Sequence, residues 1–418
     1  MTAPTPVTTR PVPPRQLAWL RAEAAAWASQ GIIDQAQADR ITAGYTAGSH
    51  GRLTLGRILL ALGGTFVGVG LVWLVAANLD ALSPTTRFVA VALIWLAFLV
   101  GGEALASRGV SPPVVGAVRL LAALGIGAVL FQAAQSLQVP AFEPRLLGLW
   151  SAAALLHGYA VRAYLPFLVG VASGVGWWFT QPLWDGPSGL TVVVLLGAGA
   201  VLAAGLAVLH DGRLDAFAWA WRTVAGGMAL VALFVAAVPD IGEDGVVWSP
   251  WLVVALGMAG AAAAAAVVIR PGPLALEPLG AVVVLAVATL IGLWTTGTDT
   301  SAIDTADWLH AAASVVAYVL LAVALVAVGT VRDHPPLTGM AMVGLVVFTT
   351  FQSFAVFAPI VTGAWLFVVL GTVFLGTGFL FDRARRELAQ ALDTDAPTDR
   401  HTGSPTGSPT ASTEGTDR

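Results

Sequence analysis

The sequence has no cysteine, which removes disulfides, thiolate nucleophiles, iron–sulfur clusters and cysteine-bound zinc in one step. It has no lysine either, since all 20 basic residues are arginine. With the heavy use of Ala and Gly, that bias points to GC-rich coding rather than to chemistry. Charge of either sign is scarce: 11% of the 418 residues are charged and 57% are apolar, where a soluble chain carries roughly 25% charged residues. So little polar surface does not suit water, and the chain needs lipid as its solvent. The formal net charge is only −4, and no basic stripe with interleaved aromatics occurs, which argues against a nucleic-acid partner. H-E-x-x-H, G-x-S-x-G in a strand–turn–helix setting and paired carboxylates within a span are all missing, so neither an enzyme activity nor a cofactor or metal is expected.

The two ends of the chain are polar. Residues 1–14, "MTAPTPVTTRPVPP", are rich in Pro and Thr, and residues 393–418 repeat GSPT among acids and small polar residues. Both have too little to bury and read as disordered tails. Between the first tail and the apolar region, residues 15–50 read as a small helical hairpin in water. Leu17, Leu20, Ala24 and Trp27 share one helical face; Gly31 ends that helix. Asp34 with Gln37 has capping-box spacing, and Ala38, Ile41 and Tyr45 form the second apolar face.

From residue 57 to 382 the chain is a series of apolar runs, and a bilayer core takes about 20 residues per helix. About twelve spans are counted, near 58–77, 88–106, 114–134, 146–162, 164–180, 189–209, 218–238, 249–269, 274–294, 308–330, 337–357 and 360–381. The fourth and fifth, split by "VRAYLP", are the shortest. The first run starts too late to be the core of a cleaved signal peptide. Residues 383–392 extend the last span as a cytoplasmic helix.

Arginines near span ends stay on the cytoplasmic side. Arg108, Arg162, Arg213 with Arg222, Arg270, Arg332 and Arg383 fall in alternate loops on the same side as the N-terminal segment. The other loops hold only Arg87 and Arg145, with Asp80, Glu143, Asp185, Asp240, Glu243, Asp244, Asp299, Asp304 and Asp307. An even span number with both termini cytoplasmic preserves this alternation. Trp73, Trp150, Trp178, Trp248, Trp251, Trp294 and Trp308 collect near the outer span ends as an aromatic belt.

The order of features "WASQGIIDQAQADRITAGY" followed by "LGGTFVGVGLVWLVAANLDALSPTTR" resembles an uncharacterised family of bacterial multispan membrane proteins, domain of unknown function 2157 (DUF2157). Leu79 stands where that family usually has Trp after the Asn. A looser likeness continues through "FQAAQSLQVPAFEPRLLGLW". The resemblance covers about a third of the chain. It implies a polytopic protein of the bacterial plasma membrane with a cytoplasmic N-terminal helical segment, and it carries no functional residue across.

Few polar groups lie inside the spans, where a charge costs about 2.5–3.5 kcal/mol on insertion scales. Glu103 and Arg119 fall at similar depth in successive spans and read first as a structural ion pair, with snorkelling or a proton relay as alternatives. Asn78, Gln132, Gln135, His157 and Gln352 would line a polar cavity if their helices adjoin; interhelical hydrogen bonding is the plainer reading. Asn78 also belongs with Asp80, Pro84 and Arg87 to a span exit. "DTADWLH" places Asp304, Asp307 and His310 three residues apart, but a solvated acidic loop explains it better than a metal site. Gly64 with Gly68, and Gly257 with Ala261, are spaced for close helix packing.

The expected fold is all-α: a polytopic integral membrane helical bundle of about twelve spans, with both termini cytoplasmic and a small cytoplasmic hairpin before it. The lipid bilayer is its first partner, and oligomeric state is left open. Transport of a small molecule or lipid precursor is the leading functional reading. The alternative is a membrane-embedded sensor or scaffold that binds a protein partner on the hairpin at Trp19, Trp27 or Ile33.

Overall fold

The computed structural model describes residues 10–12, 14–47, 83–137, 143–184, 186–294 and 305–357, with scattered positions between 59 and 70 and between 368 and 383. Both tails beyond these limits, Asn78, the Gly64/Gly68 pair, most of the first and last expected spans and the C-terminal extension lie outside the described residues.

Near the N-terminus α1 (Pro14–Ser29) and α2 (Gln35–Ala43) lie in contact. Gly31 adopts φ +72° and closes α1 in a Schellman motif: Ile32 N–H donates to Trp27 O at 3.0 Å and Gly31 N–H to Ala28 O at 3.2 Å. The capping box is complete. Gln37 N–H donates to Asp34 Oδ1 at 2.7 Å and Asp34 N–H to Gln37 Oε1 at 2.8 Å. Two expectations need correction. α2 stops before Gly44, and Tyr45 lies in β2 (Tyr45–Ala47), which pairs in parallel with β1 (Arg10–Val12). Arg10–Val12, expected to belong to a disordered tail, are extended and paired. Gly44 is a poor helix former, and Tyr and Thr favour extended backbone, so the helix yields to the strand there.

The apolar region gives α3 (Pro84–Ser107), α4 (Pro112–Ser136), α5 (Pro144–Ala160), α6 (Tyr164–Trp184), α7 (Gly189–His210), α8 (Asp215–Ala236), α9 (Pro250–Ile269), α10 (Leu276–Leu293, after a 3-10 turn at Pro273–Ala275), α11 (Thr305–Val331) and α12 (Pro335–Phe357). Eight of these, all but α5 and α6, are long and apolar enough to cross a membrane. Those two are the runs singled out as shortest; α5 has 17 residues and α6 contains Pro182. Proline opens α3, α4, α5 and α9, where its missing N–H costs no helical bond. Ser83, Ser188 and Ser249 cap α3, α7 and α9 by accepting from the N–H three residues on.

The arginine-bearing turns share one construction. The turns after α3, α5, α7, α9 and α11 are short, and each contains one residue at positive φ: Gly109, Arg162, Gly212, Gly272 and Asp333. Such turns force successive helices to lie antiparallel side by side.

The chain divides within α6 into two compact units, residues 1–174 and 175–418. In the first, α3 packs on α4 and α4 on α5. Gly127 has no room for a side chain, because a Cβ there would lie 2.6 Å from the Trp150 ring. In the second, α7 is central: 78% of its apolar stretch is buried, against 22% for the 3-10 turn with α10 and 28% for α9. Its run of Gly and Ala, with apolar residues on every face, suits a helix enclosed by neighbours. α8, α9 and α10 pack around it, and α11 and α12 form a hairpin against α8. On α9 the packing seam is Leu252, Ala255, Ala259, Ala263 and Ala266. Gly257 and Ala261, expected to form that seam, face outward. In a helix made almost wholly of small residues, spacing alone does not choose the face.

Candidate functional site

Two groups of charges occupy the arginine-bearing ends of the units. In the first unit, Arg119 grips Glu103 with both edges of its fork, Nε to Oε1 at 2.8 Å and Nη2 to Oε2 at 2.7 Å. Gly102 makes this possible by leaving space over the Arg119 stem, since a Cβ there would sit 3.3 Å from Arg119 Cγ. His157 on α5 lies within electrostatic reach of both charges. It is buried, and neither ring nitrogen has a hydrogen-bond partner among the described residues. The interhelical bond expected of it is therefore not made.

The second unit holds the larger group. Arg222, two turns into α8 and only 8% exposed, donates from Nε to Glu277 Oε2 at 2.8 Å and from Nη2 to Asp211 Oδ1 at 2.9 Å. Glu277, in the first turn of α10, also accepts from Arg332 Nε at 2.9 Å. Arg270, at the end of α9, donates from Nη2 to the Asp211 backbone carbonyl at 2.7 Å, while its buried Nε has no acceptor among the described residues. Two carboxylates thus tie α8, α10, the end of α11 and the turn after α7 together, and the Asp211 backbone carbonyl adds the end of α9. Beside them His334 stacks on Trp219 with centroids 4.7 Å apart, places Nε2 at 2.9 Å from Trp219 O, and accepts from Leu337 N–H at Nδ1. Burial pushes its imidazole below the ordinary histidine value.

The sequence reading counted Arg222, Arg270 and Arg332 only as topology markers and missed Asp211 and Glu277. A signal was available: both are acids set among turns that otherwise carry arginine.

The polar residues proposed for a cavity do not gather. Trp150, level with Ala123 and Gly127 through a 2.9 Å bond to Ala123 O, lies between Gln132 and Gln135 toward one end of α4 and His157 toward the opposite end of the adjoining α5. Antiparallel packing of the two helices separates them. Gln352 belongs to the second unit, apart from the others. Tyr318 and Phe348 stack with centroids 4.0 Å apart. One turn further along the same faces of α11 and α12 come Ser314 and Gln352, both buried, with Ser314 Oγ and Gln352 Oε1 unpartnered among the described residues. His310, a turn beyond Ser314, packs edge-on against Trp294 at 6.0 Å; no His, Asp or Glu cluster able to hold a metal occurs among the described residues.

The aromatic belt also needs revision. Trp248, Trp294 and Trp308 are exposed, as a belt requires, but Trp178 is buried and donates to Leu195 O at 2.8 Å. A cavity of about 140 Å³ beside it is lined by Trp178, Phe179, Pro182, Val192, Leu195 and Leu196, all apolar.

Long apolar helices, short arginine turns and ion pairs set between the helices define a multispan α-helical membrane protein. Residues 25–167 match the sequence model of a family described as predicted membrane protein, DUF2157, which agrees with the resemblance carried by Trp27–Tyr45 and the first apolar run. No curated protein and no solved structure matches the chain.

Proposed function

We propose that the chain is a non-enzymatic membrane scaffold or sensor whose N-terminal hairpin presents a protein-binding surface to the cytoplasm. The observation that carries this reading is the hairpin's division of its apolar residues. Leu17, Ala24 and Ala38 close its own interior, while Trp19 and Ile32 stand 62% and 65% exposed. Neither is needed for the hairpin's packing, and a large exposed aromatic is the usual anchor of an interface. The charges within the helices support the same reading. Glu103 and Glu277 are each held by arginine, so they brace helices rather than offer themselves to a moving ion.

A photo-crosslinking residue at position 19 should yield a discrete adduct in cells, and Ile32→Ser should abolish it. Membrane yield and melting temperature should stay unchanged, as for surface substitutions. No adduct at position 19, or one indifferent to Ile32, would discard the reading.

Ser314 and Gln352 favour a second reading, transport. Two buried oxygens without partners among the described residues, one on α11 and one on α12, suit a polar solute passing between those helices. Because the chain has no native thiol, Ser314→Cys offers a direct test. Labelling by a charged, membrane-impermeant thiol reagent supports a pathway; complete protection removes it.

A further inference from the structure

Arginine forks in this protein follow one habit, and one arginine departs from it. Arg119 and Arg222 each present the edge formed by Nε and Nη2 to a carboxylate, Glu103 and Glu277 respectively. On Arg270 the same edge meets only a neutral carbonyl, Asp211 O, through Nη2, and its Nε–H is buried without an acceptor among the described residues. Nearby carboxylates are already engaged. Glu277 takes Arg222 on Oε2 and Arg332 on Oε1, and Asp211 takes Arg222 on Oδ1. Three guanidiniums therefore face two carboxylates, leaving one positive charge unmatched inside the group. The surrounding turns add Arg213, Asp215 and Asp333, and Asp215 is turned toward Gly212 N–H at 2.7 Å, so no carboxylate among the described residues accepts from Arg270 Nε.

We propose that Arg270, backed by Arg332 and Arg222, is a binding site for a phosphate-type oxyanion at the cytoplasmic membrane surface. The chemistry needed is an anion with at least two oxygens, one to accept from Nε–H and another to lie against Nη2, the bidentate geometry guanidinium favours for phosphate. Position selects the same class. Arg270 is the residue directly after the apolar helix α9, the level at which phospholipid headgroups stand, and basic pockets between helix ends on this side take such headgroups. A soluble phosphate offers the same oxygens, so the two sources are separated by experiment. The site goes beyond the hairpin reading and stands or falls independently of it.

The test uses the full chain purified in neutral detergent and followed by melting temperature, with phosphatidylglycerol, phosphatidylcholine or inorganic phosphate added in turn. Phosphatidylglycerol should raise the melting temperature and phosphatidylcholine should not. Arg270→Gln should weaken the response about tenfold or more in lipid concentration, the scale for losing a charged hydrogen-bond donor. Arg270→Lys should keep part of it, and Arg213→Gln, at the exposed rim, should keep nearly all. A response to inorganic phosphate matching that to the anionic lipid supports the same site with a soluble ligand. If neither addition shifts the melting temperature, or if Arg270→Gln and Arg213→Gln lose the response equally, the assignment is wrong. Should Arg270→Gln fail to fold, retention of phosphatidylglycerol by the native protein and by Arg270→Lys, read by native mass spectrometry, decides the matter: reduced retention by the lysine variant supports the bidentate site, and equal retention opposes it.

Discussion

Arg222 and Glu277 are 55 residues apart in the chain and 2.8 Å apart in space, each almost wholly enclosed. A buried ion pair is costly to assemble and more costly to break, because the surviving partner is left charged in a poor solvent.

Glu277→Ala should therefore destabilise the second unit by about 3 kcal/mol, since it takes the carboxylate from Arg332 and leaves Arg222 with Asp211 alone. Replacing the pair together, Arg222→Met with Glu277→Leu, should recover part of that loss. Detergent-solubilised melting curves of the single and double variants check this; a double variant no better than Glu277→Ala would show that the pair is not the source of the effect.

In the first unit, Arg119→Ala should lower the amount of folded protein in the membrane, and adding Glu103→Ala should partly restore it. The readout is the monodisperse peak of a fluorescent fusion on size-exclusion chromatography. The prediction fails if the double variant behaves like Arg119→Ala alone.

His334 sets a pH dependence outside the spans. Its neutral ring does two jobs, donating from Nε2 to Trp219 and accepting at Nδ1 from Leu337 at the start of α12. Protonation removes the acceptor and places a positive charge at a helix N-terminus. Burial lowers the pKa in the fold below the ordinary 6.5, so the unfolded chain binds the proton first. Stability is accordingly full above about pH 6.5, falls as pH drops below that value, and stops falling once the native ring is protonated. His334→Asn should flatten the melting temperature between about pH 5 and about pH 8 relative to the parent. An unchanged slope would assign the dependence to another group.

Orientation is open to a simple labelling test, given that no native thiol interferes. Glu243→Cys should react with an impermeant maleimide on intact cells, and Arg213→Cys should react only after permeabilisation. The reverse pattern would invert the expected topology.

Much of the helical framework was legible because its signals are local. The capping box at Asp34 and Gln37, the stop at Gly31 and the arginine turns each depend on residues close in sequence, and the structure realises them. The Glu103–Arg119 pair was legible for the same reason, as a four-residue turn sets the two helices side by side. What escaped was long-range. Nothing near Glu277 in sequence reveals that Arg222 and Arg332 will meet it, and nothing near Gln352 announces Ser314. Helix rotation was equally hidden, as Gly257 and Ala261 show: an alanine-rich helix has several faces of equal quality, and its neighbours choose one. Trp178 and Trp150 misled for a related reason. Their ring N–H groups found interior carbonyls, and composition does not reveal an acceptor.

The turns at the arginine end of the second unit span only a few residues, and charge pairs stitch them across. At the opposite end the connection 237–249 is fastened to α7 by backbone contacts rather than by charge, with Val247 N–H donating to Thr191 Oγ1 at 2.8 Å and Ser188 Oγ donating to Gly245 O. High salt or extremes of pH should therefore loosen the arginine end first and leave the neutral rim intact.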